Sequence, residues 1–139
     1  MKPSEKAEIA TLKATIRAIQ KGATVSKPVT EGTRYDLVLD YQGRLYRVQV
    51  KYCGSANEPG AIWVRLASGS YGRVRFHAYS AHEVDVVLAY VPSLDVILWI
   101  DACHFDGKGA LSFRLQKALN NQSIGCRSIE EFIWQYGKR

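Results

Sequence analysis

Apolar residues recur at helical spacing near the start of the chain. Ile9, Leu12, Ile16 and Ile19 share one stripe between Ser4 and Lys21, and Lys21-Gly22 supplies a basic last turn and a stop. The pattern predicts an amphipathic helix with that stripe against the core. Glu5 falls within the stripe one turn early, and Glu8 falls on its margin. A short strand, Ala23 to Lys27, is stopped by Pro28. After a polar loop the chain alternates from Arg34 to Asp40 and again from Leu45 to Tyr52, across Tyr41-Gln42-Gly43-Arg44, which predicts a hairpin. A turn centred between Gln42 and Gly43 sets Leu37 opposite Val48, Leu39 opposite Tyr46 and Asp36 opposite Gln49. One surface is then Tyr35, Leu37, Leu39, Tyr46, Val48 and Val50. The other is almost wholly polar: Arg34, Asp36, Val38, Asp40, Arg47, Gln49 and Lys51.

Beyond Cys53 a Gly- and Pro-containing loop leads to a strand from Ala61 to Leu66 and a polar, basic loop from Ser68 to Arg75. Ala78 to Glu83 has the pattern of a short helical turn capped by Ser80. Asp85 to Val91 and Val96 to Ile100 are nearly continuous apolar runs joined by Pro92-Ser93-Leu94-Asp95, so they are expected as strands covered on both faces, at the centre of a sheet. A last helix is expected from Ser128 to Tyr136, with Ile129, Phe132, Ile133 and Tyr136 on one face. No repeat or low-complexity segment interrupts this order. The length suits one domain, residues 1–139.

Composition sharpens the picture only in part. Apolar residues at 47% and charged residues at 23% match an ordinary globular protein. Nineteen basic against thirteen acidic residues leave a charge of +6 and a pI near 9.3, which favours a polyanionic partner. No apolar run is long enough to span a bilayer, and Met1 to Lys6 lacks the apolar core of a signal peptide, so no membrane partner and a cytoplasmic location are expected. Cys53, Cys103 and Cys126 are odd in number and widely spaced, and with His77, His82 and His104 they match no standard zinc pattern.

The chemistry concentrates on the hairpin. An Asp entering one strand, across from a residue two before a Lys on the next, brings oxygen ligands and an ammonium group together. A hard cation such as Mg²⁺ takes one or two carboxylates plus water and substrate phosphate. Asp36 can supply the central carboxylate, and Lys51 can stabilise charge on phosphoryl oxygens or hold the attacking water. A half-solvated antiparallel pair with no chemistry would show the same alternation, so spacing alone is weak.

Arg34-Tyr35-Asp36-Leu37-Val38-Leu39-Asp40 followed by Tyr46-Arg47-Val48-Gln49-Val50-Lys51 resembles the active-site hairpin of the PD-(D/E)XK nucleases, and more narrowly that of the bacterial group I intron homing endonucleases. The likeness extends through Lys21-Gly22, Glu83-Val84-Asp85 to Tyr90-Val91-Pro92, Phe113-Arg114-Leu115 and Asn120-Asn121-Gln122, most of the chain. It implies an α/β class with a restriction-endonuclease-like core, a mixed central sheet flanked by helices, and cleavage of double-stranded DNA dependent on Mg²⁺, with Mn²⁺ as the other candidate ion. It also implies assembly into a homodimer or homotetramer, so that each strand meets its own active site. On this resemblance Asp36, Gln49, Lys51 and Glu8 are the catalytic candidates, with Asp36, Gln49 and Glu8 as metal ligands.

Two departures stand out. Gln49 replaces the family's more frequent acid, so its carbonyl oxygen can bind a metal without adding charge. The usual helical Glu would fall at Thr11, for which Glu8 is the first substitute and Glu5 the second. Candidate DNA contacts are Arg34 beside the hairpin, a basic ribbon-like segment of Arg65, Tyr71, Arg73 and Arg75, and a polar cluster with Arg114, Lys117 and Asn121 among its members. The rival readings are a Holliday-junction resolvase-like nuclease, separable by branched substrates, and a non-catalytic DNA-binding module on the same fold, separable by binding without cleavage.

Overall fold

Gln42 and Gly43 take φ angles of 53° and 78°, the paired left-handed conformations of a type I′ turn, and Gly43 adopts its value without a Cβ clash. This turn closes β2 (Leu37–Tyr41) onto β3 (Arg44–Tyr52) with Leu37 opposite Val48 and Leu39 opposite Tyr46, the register expected from the alternation. The computed structural model describes residues 1–55, 60–68, 77–115 and 127–135.

Five strands form the main sheet in the order β1 (Thr24–Ser26), β2, β3, β8 (Val86–Val91), β9 (Val96–Asp101). β3 and β8 run parallel and the other neighbours antiparallel, so the sheet is mixed. The centre is β3. β8 is interior and buried along its whole length, but β9 is the edge, which corrects the expectation that both apolar runs lie centrally. β9 reads like a central strand because both of its faces are covered and the chain end closes its free side, through a bridge from Leu98 to Ile133 and a hydrogen bond from Trp134 N to Ile97 O (2.8 Å).

One face of the sheet packs on α1 (Pro3–Gln20) and the other on a second sheet, ordered β11 (Arg127–Ser128), β10 (Ala110–Arg114), β5 (Ala61–Arg65), β4 (Gly54–Ser55). The chain passes from one sheet to the other at Cys53, whose N–H bonds the Tyr90 carbonyl (2.9 Å) between the end of β3 and the start of β4. Burial pushes the Cys53 thiol pKa up to about 12, so it is an inert core group. A small antiparallel pair, β6 (Ala67–Ser68) with β7 (His77–Ala78), brackets residues 69–76.

The helix forms where expected but is turned around. Its buried residues are Ala10, Ala14 and Ala18, with Ile9 of the expected stripe partly buried against the same core, and the rest of that stripe faces outward, with Leu12, Ile16 and Ile19 each more than half exposed. Small side chains on one face let the helix backbone approach the sheet. The volume is filled from the other side by Leu37, Leu39, Val48 and Leu88 and by the edge-stacked Tyr41, Trp99 and Trp134. Polar ties hold this rotation: Lys13 to Asp95 (2.9 Å), Arg17 to the Trp134 carbonyl (2.8 Å) and Lys21 to the Gln135 carbonyl (2.9 Å).

Two further expectations change. The segment from Ser128 is a single 3-10 turn, Ile129–Phe132, after which the chain extends to reach β9. Ile129 and Phe132 are buried as foreseen, and Tyr136 lies outside the described residues. Of the short helical turn expected from Ala78 to Glu83, Ala78 belongs instead to β7 and residues 81–83 form the turn; the Glu83 and Val84 N–H groups both return to the Ser80 carbonyl (3.0 Å each), and Ser80 Oγ donates to the Glu83 carboxylate (3.1 Å). This turn is tied to β3 by Arg47. Its guanidinium contacts both Asp85 oxygens (3.0 Å each) and the His82 carbonyl (2.6 Å), while its N–H bonds Asp85 as well (2.8 Å). The Arg47 hydrogen bond holds the Asp85 carboxyl below the usual carboxylate range. Among the described residues no helix is long and apolar enough to cross a membrane.

Candidate active site

Asp36 sits one residue before β2, where the ladder to β3 ends. Its N–H donates to the Val48 carbonyl (2.8 Å), and its carboxylate accepts the Val50 N–H (2.9 Å). The side chain thus takes the place of the ladder acceptor that β2 no longer supplies, and the two bonds fix the carboxylate beside Gln49 and Lys51. Surrounding protein pushes its pKa above the ordinary carboxylate value. Desolvation outweighs the Val50 hydrogen bond and the charges of Lys51 and Lys27.

Lys51 Nζ donates to the Tyr79 hydroxyl (2.9 Å) and lies 4.8 Å from the centre of that ring. Arg34 stacks on the same ring at 4.4 Å, donates to the His77 and Ala78 carbonyls (2.9 and 3.1 Å), and has its Nε 3.2 Å from Glu83. The structure therefore directs Arg34, expected as a DNA contact, onto β7 and the 81–83 turn, where it braces Tyr79 and through it Lys51. Tyr79, buried and distant in sequence, escaped sequence reasoning because no spacing rule links it to the hairpin. The pair of β6 with β7 brings it there.

A cleft of about 660 Å³ opens between the N-terminal half of α1 and β3. It is lined by Asp36, Gln49, Val50, Lys51, Tyr52 and Gly54 on the sheet side and by Lys6, Glu8 and Thr11 among the helical residues. Glu8, the first substitute for the missing helical acid, thus shares the cleft with the hairpin triad, as does Thr11. Glu5 is not part of the lining and instead accepts the Lys2 N–H at the helix start (3.1 Å). Lys6, which lies 5.8 Å from the Tyr52 ring centre, is a second cation that sequence reasoning overlooked.

The oxygen donors suit a hard divalent ion. Asp36 and Glu8 offer carboxylates. Gln49 offers an amide oxygen, its amide nitrogen being turned to the Val50 carbonyl (3.3 Å). Among the described residues no three His, Cys, Asp or Glu side chains converge, so an ion here would complete its shell with the amide, water and substrate phosphate.

Of the other expected DNA contacts, Arg65 on β5 and Arg114 on β10 fall on the same outer face of the second sheet. Tyr71, Arg73 and Arg75 lie outside the described residues, and so do Lys117 and Asn121.

Fold and cleft together define a class of phosphodiester-cutting proteins: the chain belongs to the PD-(D/E)XK endonuclease family, whose model matches residues 1–134. Among solved structures it is similar to a bacterial homing endonuclease, I-Ssp6803I. The TM-score is 0.76 and the identity 25%, over 96% of this chain and 89% of that one. No curated protein matches the chain. The family resemblance seen in the hairpin and the restriction-endonuclease-like α/β fold both hold.

Proposed function

We propose that this protein is a site-specific homing endonuclease that makes a double-strand break in DNA by Mg²⁺-dependent phosphodiester hydrolysis, with Mn²⁺ able to replace Mg²⁺. The observation that carries this reading is the shared cleft of Asp36, Gln49, Lys51 and Glu8 on a chain of this nuclease family. The similarity to a homing endonuclease supports the narrower activity, and the charge of +6 supports a polyanionic substrate.

Asp36, Glu8 and the Gln49 amide oxygen would hold the metal. When bound, it polarises the scissile phosphate and lowers the pKa of a coordinated water. Lys51, steadied by the Tyr79 hydroxyl, presents its ammonium group to the non-bridging oxygens as water adds to phosphorus and one P–O ester bond breaks. Lys6 adds positive charge on the helical wall of the same cleft.

Two strands require two such sites, hence a homodimer or homotetramer. The outward Leu12-Ile16-Ile19 row supports this. Reversed about a two-fold axis, the row sets Leu12 against Ile16, a self-complementary seam for a second copy.

The test is a plasmid library with randomised inserts, incubated with Mg²⁺ or EDTA, beside four-way junctions. Wild type should linearise plasmid at a reproducible site only with Mg²⁺. Lys51→Ala should slow cleavage by roughly 10² to 10³-fold and Asp36→Asn should abolish it. Cleavage of junctions alone would replace the homing reading with a resolvase, and binding without any cleavage would leave a DNA-binding module.

A further inference from the structure

The outer face of the second sheet carries an aromatic side chain that the cleavage reaction does not use. Alternation along β5 buries Ile62 and Val64 and turns Trp63 and Arg65 outward; along β10 it buries Leu111 and Phe113 and turns Ser112 and Arg114 the same way. Trp63 is 59% exposed, whereas Trp99 and Trp134 are at 4% and 1% in the core. A lone exposed apolar residue means little. Three features of this one point to a ligand.

Its cross-strand neighbours are Gly54 on one side and Ser112 on the other, so neither position directly opposite the indole carries a large side chain. Gly54 also lines the catalytic cleft and belongs to the edge strand β4, so the Trp63 backbone lies one strand in from the cleft wall, a spacing of roughly 4.8 Å. Finally, Arg65 and Arg114 flank the indole from opposite ends of the ladder, Arg65 opposite Ala110 and Arg114 opposite Ala61. Two residues along a strand span about 6.7 Å, close to two nucleotide steps of roughly 3.4 Å along one DNA strand.

We infer that the outer face of β5 and β10 is a nucleic-acid track continuous with the catalytic cleft, on which Trp63 packs its ring against the apolar face of a nucleotide. Arg65 and Arg114 face the phosphates on either side of it. The inference rests on the nuclease reading and adds to it a positioning residue. Indole against a base or deoxyribose is sequence-tolerant, since every nucleotide has such a face. It therefore sets where the strand lies over the cleft more than which sequence is cut.

The arrangement makes the test specific. Of the chain's three tryptophans, only Trp63 is open to quenching by a bound nucleotide. The full-length Asp36→Asn protein, in which cleavage should be abolished, is titrated with a labelled duplex and with the same duplex carrying one unpaired nucleotide. Label anisotropy reports binding and tryptophan emission reports the ring. Emission should fall on binding, and the response should vanish when Trp63→Phe is added. Trp63→Ala should weaken binding by roughly tenfold, Trp63→Phe by less, and neither should move the thermal midpoint of so exposed a site. A stronger response to the unpaired nucleotide would put the ring on a base, and an equal one would put it on a sugar. If anisotropy shows binding while emission is unchanged and Trp63→Ala binds as tightly as its parent, this inference is overturned and the nuclease reading survives. If no DNA binds at all, both fall.

Discussion

The Asp36 carboxylate is held where its charge is unfavourable. Its folded pKa is raised by desolvation, so the protein carries a cost above that pKa which disappears as acid neutralises the group. Asp36→Asn keeps an oxygen for the Val50 N–H and removes the charge. The variant should therefore melt higher than wild type near pH 8, and the difference should shrink toward zero as the pH falls to about 4. A variant less stable at every pH would mean that the carboxylate is net favourable in the fold and not strained toward function. Lys51 is steadied differently, by a tyrosine that Arg34 braces from the same ring. Asp36 is thus positioned by backbone groups of its own hairpin, and Lys51 by a side chain that lies outside it.

At the scale of elements, α1 decides the geometry of the cleft. Its alanine face sets how close the helix lies to β3, and that distance sets where Glu8 and Thr11 stand relative to Gln49. Ala14→Leu forces extra volume into a fully buried position and should cost about 1–3 kcal/mol in chemical denaturation. Ile16→Ala, on the exposed row, should stay within about 0.5 kcal/mol in dilute solution. The reverse ranking would put the isoleucine stripe in the core and move Glu8 off the cleft. The 81–83 turn plays a matching part on the opposite side, where Arg47 and Asp85 lock it to β3 so that β7 and Tyr79 stay beside Lys51.

For the whole molecule, the outward row on α1 is where the proposed assembly can be tested. Light scattering of the wild type should give the mass of a dimer or tetramer, and Ile16→Glu should lower it while leaving the circular dichroism unchanged, because the side chain is more than half exposed and lies outside the buried core. The same variant should nick plasmid more than it linearises it, since separated protomers cut one strand at a time. An unaltered mass in the variant would mean that the copies meet elsewhere.

Much of this was legible in the chain itself. Period-two alternation around Gln42-Gly43 determined the hairpin, its register and the grouping of Asp36 with Gln49 and Lys51, because a pleated pair leaves no freedom once the turn is set. The all-apolar runs foretold two strands with both faces covered. The helix, too, was visible in its periodicity, but not its rotation. Alanines at 10, 14 and 18 form a second stripe opposite the isoleucines, and only the bulk of Leu37, Trp99 and Trp134 in the facing sheet selects the smaller one. The same holds for Tyr79 against Lys51 and Gly54 beside Trp63. These are pairings between segments distant along the chain, and no local spacing encodes them until the two sheets join at Cys53.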